Sequence, residues 1–83
     1  MNKKKLLKKI IDGPRNVRFS DMVNLVKGFG FCLSRTEGSH HIFVHPDIPE
    51  QINLQEVKGE AKPYQVRQFI KLIEKHNLHL EKE

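Results

Sequence analysis

The run Gly38-Ser39-His40-His41-Ile42-Phe43-Val44-His45-Pro46 holds three of the chain's five histidines within six residues, directly after a Gly-Ser pair. An imidazole titrates near pH 6.5 in water, so such a side chain can take up a proton at cellular pH and return it. If the run is a strand, alternation sends His41 and His45 to one face and His40 to the other. A zinc triad is then awkward, because His41 and His45 stand about 13 Å apart along an extended chain, too far to share one ion. His76 and His79 are spaced for a helical i, i+3 chelate, but they fall at a fraying helix end. The lone Cys32 can form no internal disulfide and cannot build a cysteine-based zinc site. Neither a metal nor a cofactor is expected.

His40 starts the strand beside a Gly-Ser turn, where its ring is both held and accessible. RNA supplies its own nucleophile, the 2′-hydroxyl. A histidine that withdraws that proton, or protonates the leaving 5′-oxygen, can suffice without metal when cations sit on the phosphate. By spacing alone, a surface or packing histidine is the commoner outcome. Other chemistries leave no trace: there is no P-loop, no paired cysteine, and no carboxylate pair whose spacing singles out acid–base work. Cys32 alternates with Phe31 and Leu33 and reads as a small strand residue, not a nucleophile. Tyr64 is placed either to stack on a base or to pack under the last helix, packing being the commoner fate. Phe31, Phe43 and Phe69 read as core.

Charge narrows the partner class. The 83 residues carry 15 Lys and Arg against 10 Asp and Glu, a net +5 with neutral histidines. Residues 1–28 hold Lys3, Lys4, Lys5, Lys8, Lys9, Arg15, Arg18 and Lys27 against Asp12 and Asp21, leaving +6 in the first third and −1 in the rest. A basic surface on a small domain favours polyanions, nucleic acid first. The plainer reading of Lys3 to Lys9 is the solvated face of a terminal helix. At 9.7 kDa, with mean hydropathy −0.57, the chain supports one thin core, which excludes large cofactor folds. No apolar run approaches a membrane span of roughly 18 residues, and the N-terminus lacks the apolar stretch of a signal peptide. A soluble, cytoplasmic domain without membrane contact is expected.

The elements that must position His40 follow from periodicity. Leu6, Leu7, Ile10 and Ile11 recur at i, i+4 and predict a helix over residues 3–11, stopped by Asp12-Gly13-Pro14. Asn16 reads as the cap of a second helix, whose stripe is Phe19, Met22, Val23 and Val26 and whose exit is Gly28-Phe29-Gly30. Residues 31–36 alternate as a half-buried strand, Glu37-Gly38 turns, and residues 39–45 return as its antiparallel partner. Residues 46–51 form a proline-pinned loop, Ile52 to Gln55 a short third strand at an edge, and the polar residues 56–62 a connection. Pro63 opens a last helix with the stripe Val66, Phe69, Ile70 and Ile73, and Asn77 ends it. The predicted order is α-α-β-β-β-α, an α+β domain with a three-stranded antiparallel sheet and helices on one face. It spans 1–83 as a single domain: a basic N-terminal helical extension over 1–15, a core over 16–77, and a frayed polar tail over 78–83.

Phe29-Gly30-Phe31, then Gly38-Ser39-His40-His41-Ile42-Phe43 and His45-Pro46, with a short strand and an amphipathic C-terminal helix after them, resemble the HicA (YcfA-like) family of toxins. The resemblance covers roughly residues 19–77, and its most specific element is Gly-Ser-His-His with His-Pro shortly after. It implies a double-stranded-RNA-binding-domain-like fold and a metal-independent endoribonuclease that cleaves mRNA and arrests growth. It implies a partner as well, a HicB-like antitoxin that masks the active histidine. The family's catalytic histidine directly follows Gly-Ser, so the role falls on His40, with Gly38 and Ser39 as the turn that presents it. No role passes to His41. Many members carry a Pro-His segment in the third strand, where this chain reads Ile52-Asn53-Leu54-Gln55, and the basic helix over 3–11 precedes the usual start.

The leading expectation is therefore a toxin ribonuclease with His40 as general acid or base. Phosphates would be held by Lys3, Lys4, Lys5, Lys8, Lys9, Arg15, Arg18, Lys27 and Arg35. A non-catalytic RNA-binding module of the same fold is the alternative, and a domain docking its basic helix on an acidic protein is a third.

Overall fold

The computed structural model of the chain describes residues 2–81. In chain order the elements are α1 (Lys3–Asp12), α2 (Phe19–Gly28), β1 (Cys32–Glu37), β2 (His40–Val44), β3 (Ile52–Val57), β4 (Glu60–Ala61) and α3 (Pro63–Lys75). The strands form one antiparallel sheet in the order β1-β2-β3-β4, so the domain is α+β as expected, with four strands where three were predicted. The difference lies in the polar segment 56–62. There β3 runs on to Val57, and Lys58 and Gly59, with φ of 52° and 81°, make the two-residue turn that returns β4. Two consecutive positive φ values suit the right-handed twist of a hairpin, but a lysine at the first position carries none of the usual Asn-Gly or Asp-Gly signal. β3 is consequently an interior strand, not the predicted edge, and β1 and β4 are the edges. β4 ends after two residues because Pro63, lacking an N–H, cannot extend the ladder and instead opens α3.

The helices cover one face of the sheet. Phe43, Ile52 and Leu54 point inward by strand alternation and meet Met22, Leu25 and Val26 of α2 and Val66, Phe69 and Ile73 of α3. Phe29 and Phe31 stand edge-to-face on Phe69, with centroids 5.3 and 6.2 Å away, geometry worth about 0.5–1.5 kcal/mol per pair beyond simple burial. α1 lies on α2 and completes this core with Leu6 and Ile10, both buried. Asn16 is not the cap of α2: it has a left-handed φ of 60°, its carbonyl accepts from Lys9 Nζ at 2.8 Å, and Arg18 occupies the cap position without a side-chain bond.

His45 of the His-Pro pair is a buried staple. Asp47 N–H donates to its Nδ1 at 3.1 Å, its Nε2 donates to Phe29 O at 3.1 Å, and its ring stands edge-on to Phe31. Beside it Gly30 has φ of 95°, so the backbone demands glycine there; a Cβ would also lie 2.6 Å from Glu81 Oε2 and 3.0 Å from His45 Nε2, which the flexible Glu81 carboxylate relieves by shifting. Glu81 arrives because the C-terminal segment is seated: Leu78 and Leu80 pack on the core and Glu81 N–H donates to Gly28 O at 2.7 Å. This corrects the expectation of a frayed polar tail over 78–83, whose last two residues lie outside those described. The leucines pull the segment down where its charges had suggested solvent.

The loop before β3 is tied to the end of α3. Glu50 accepts from Lys75 Nζ at 2.7 Å and from His76 Nε2 at 2.9 Å. The Lys75 ammonium, aided by His76, holds the Glu50 carboxyl below its ordinary value. A depressed carboxylate stabilises the fold above its unfolded pKa and loses that contribution as pH falls through the folded one. Glu50→Gln is therefore expected to melt lower than the parent at pH 7 and to converge with it toward pH 3. A gap that stays constant across thermal melts over that range would dismiss the pair as a contributor.

Candidate active site on the open face of the sheet

β1 and β2 are joined by the two-residue turn Gly38-Ser39. Gly38 has φ of 60° with nothing within 4 Å of a would-be Cβ, so glycine is required there by the backbone alone, as at the first position of a type II′ hairpin. So tight a turn places Glu37 directly opposite His40. On the other side His40 stands opposite Gln55, and Ile42 opposite Asn53. Alternation then divides β2: His41 and Phe43 face the helices with Leu54 and Ile52, while His40 and Ile42 face outward with Gln55 and Asn53.

A β-bulge brings Arg35 to the same face. Leu33 stands opposite Phe43 and Arg35 opposite Ile42, so Ser34 is an extra residue. Strict alternation over residues 31–36 would have put Arg35 on the side of Phe31 and Leu33. The bulge turns it outward, to the diagonal neighbour position of His40, roughly 7–8 Å between such positions. Arg35 Nε donates to Glu37 Oε2 at 3.0 Å. Both side chains are about half exposed, so the pair is worth only about 0–1 kcal/mol and yields readily to a competing anion.

The His40 ring is half-buried, with Nδ1 3.2 Å from Asn53 Oδ1. An amide oxygen only accepts, so this bond forms with the proton on Nδ1 and leaves Nε2 with a free lone pair. The turn that carries the ring is clamped twice. Gln55 Nε2 donates to Ser39 Oγ at 3.1 Å, and His41 Nδ1 donates to Ser39 O at 3.2 Å while its ring stands edge-on to Phe19, 5.0 Å between centroids. Gln55 is fixed in turn, because its backbone N–H donates to Oε1 of the buried Gln65 at 2.7 Å, just where β4 has ended. An orienting amide, a base with an open lone pair and a nearby guanidinium are the parts needed to move a proton beside a phosphodiester.

Of the predicted residues, the structure brings Gly38, Ser39, His40 and Arg35 together. Lys3, Lys4, Lys5, Lys8 and Lys9 lie on α1 and Lys27 in the last turn of α2, in the helical layer on the opposite side of the sheet from His40. Arg15 and Arg18 precede α2, and Arg18 pairs through its backbone with Glu60 of β4. Glu37, Asn53 and Gln55 escaped the sequence reading. Alternation in Ile52-Asn53-Leu54-Gln55 already put both amides on one face, but only the strand register aligns them with His40 and Ser39. Among the described residues no group of three or more His, Cys, Asp and Glu is gathered as for a metal ion, and no helix is long and apolar enough to cross a membrane.

Residues 19–75, a span that includes every residue of this face, match the family model described as HicA toxin of bacterial toxin-antitoxin. No curated protein and no solved structure matches the chain.

Proposed function

The chain belongs to the HicA family of toxins from bacterial toxin–antitoxin systems, and from that premise we propose that it is a metal-independent endoribonuclease acting on mRNA, with His40 as its general acid–base. The observation that carries this reading is the Nδ1 bond of His40 to Asn53, which leaves Nε2 free on the open face beside Arg35. Nε2 takes the proton of a 2′-hydroxyl, and the 2′-oxygen attacks the adjacent phosphorus. The bond to the 5′-oxygen breaks, and the imidazolium returns its proton to that leaving oxygen. One product ends in a 2′,3′-cyclic phosphate and the other begins with a 5′-hydroxyl. Arg35, exchanging Glu37 for the phosphoryl oxygens, offsets the charge that builds on them.

The fold that goes with this reading is double-stranded-RNA-binding-domain-like, with residues 1–83 acting as one cytoplasmic domain. The basic residues of α1 and α2 extend RNA contact away from the reacting phosphate. A HicB-like antitoxin silences the enzyme by covering the His40 face. The runner-up, a binding module without catalysis, draws support from Glu37, which pairs with Arg35 on the His40 face in the resting protein.

The test is chemical. Purified protein is expected to cut a single-stranded RNA in the presence of chelator, leaving cyclic-phosphate ends. The same oligonucleotide with 2′-deoxy at the cleaved position is expected to stay intact. Retention of intact RNA despite salt-dependent binding would establish the binding module instead.

A further inference from the structure

The chain holds one tyrosine and no tryptophan, and its five phenylalanines, Phe19, Phe29, Phe31, Phe43 and Phe69, are all buried. Tyr64 is the exception among the aromatics, with half of its surface exposed at the first turn of α3. The apolar stripe of α3 runs through Val66, Phe69 and Ile73 and leaves Tyr64 outside it, so packing does not account for the ring.

Its position is tied to the site. Gln65 Nε2 donates to Tyr64 Oη at 3.4 Å, while Gln65 Oε1 accepts the Gln55 backbone N–H at 2.7 Å. Gln65 is itself buried, 1% exposed, so one rigid amide joins the phenol to the strand residue paired with His40. Gln55 also holds Ser39, so a relay of hydrogen bonds runs from Tyr64 through Gln65 and Gln55 to the turn that presents the imidazole.

We propose that Tyr64 is a nucleobase-stacking subsite, which takes an unpaired base of the RNA strand whose phosphate is attacked at His40. The proposal rests on the ribonuclease reading and adds the nature of the substrate: a single strand with a base free to stack. The open face offers amides, a guanidinium and an imidazole, none of which supplies a large π surface. Base–aromatic stacking tolerates every base and contributes roughly 1–3 kcal/mol per base, about a 5- to 150-fold effect on affinity.

Because Tyr64 is the chain's only tyrosine and no tryptophan is present, its intrinsic emission reports on this subsite alone. The wild-type protein is titrated with a 2′-O-methyl single strand, which binds without being cut, and with a blunt duplex of the same length. Binding is followed separately by anisotropy of a labelled strand. The single strand is expected to quench the emission, and the duplex is not. Tyr64→Leu is expected to weaken single-strand binding 5- to 150-fold, whereas Tyr64→Phe, which keeps the ring, stays near the parent. Binding and cleavage of RNA with unchanged emission, or equal affinity of Tyr64→Leu, would overturn the subsite and leave the ribonuclease reading standing. Equal quenching by duplex would overturn the claim of an unpaired base. A protein that binds neither probe overturns both readings together.

Discussion

Replacing His40 with alanine is expected to slow RNA cleavage by a factor on the order of 10²–10⁴, the usual worth of one general acid–base group. The upper part of that range is the relevant one under the proposed mechanism, in which one imidazole both removes the 2′-proton and delivers it to the 5′-oxygen. Stability should change little. His40 is half-exposed and outward-facing, and its bond to Asn53 is a partly buried pair whose net contribution is about 0.5–1.5 kcal/mol. Asn53→Ala is the graded companion. It leaves the imidazole in place but removes the acceptor that fixes its tautomer, so activity should fall less than in His40→Ala. The measurement is the cleavage rate of a defined RNA at matched protein concentration, with circular dichroism melts as the control for folding. A second readout is growth after induction in a host without antitoxin. A folded His40→Ala protein that cuts RNA as fast as the parent would end the assignment.

How much of this site was legible beforehand depends on which interactions are local. Gly38-Ser39-His40 announces a turn followed by a presented imidazole, and the turn is there, because a two-residue hairpin is specified by its own glycine. Asn53 and Gln55 were visible only as one face of a strand. Their partnership with His40 and Ser39 is set by pairing across the 46–51 loop, which no local pattern encodes. Arg35 was named for its charge, yet alternation alone would have put it on the side of the sheet that faces the helices. An extra residue at Ser34 reverses its side, and a bulge leaves little mark in composition.

The basic helix is a different case. Its charge marked Lys3 to Lys9 as holding phosphates, or more plainly as a solvated face, without saying where on the fold; α1 sits on α2 in the layer opposite His40. β4 was missed for a third reason: its turn uses Lys58, a residue with no preference for the left-handed region, so the strand exists through pairing and not propensity.

The N-terminal helix, read from sequence as an extension, carries the second large expected effect. Leu6 and Ile10 recur at i, i+4 on its inner face and are 2% and 1% exposed in the shared core. Truncating each to alanine costs about 2–5 kcal/mol, so Leu6→Ala with Ile10→Ala should cost about 4–10 kcal/mol if the two add. Adjacent sites on one helix couple, which moves the sum somewhat. A chain of this length has a total stability of about 4–12 kcal/mol by the usual per-residue range. The double variant therefore lies at the brink of unfolding, even though both positions fall outside the family-matched span of residues 19–75. Exposed Lys5 and Lys8 provide the contrast. Their change to glutamine should leave stability within about 0.5 kcal/mol while weakening RNA binding and lowering its salt dependence, by about 0.7 in slope per lost phosphate contact. Urea unfolding of both double variants separates the two roles of the helix. A Leu6→Ala, Ile10→Ala protein with an unshifted midpoint would show α1 to be an appendage after all, with its lysines the reason it is there.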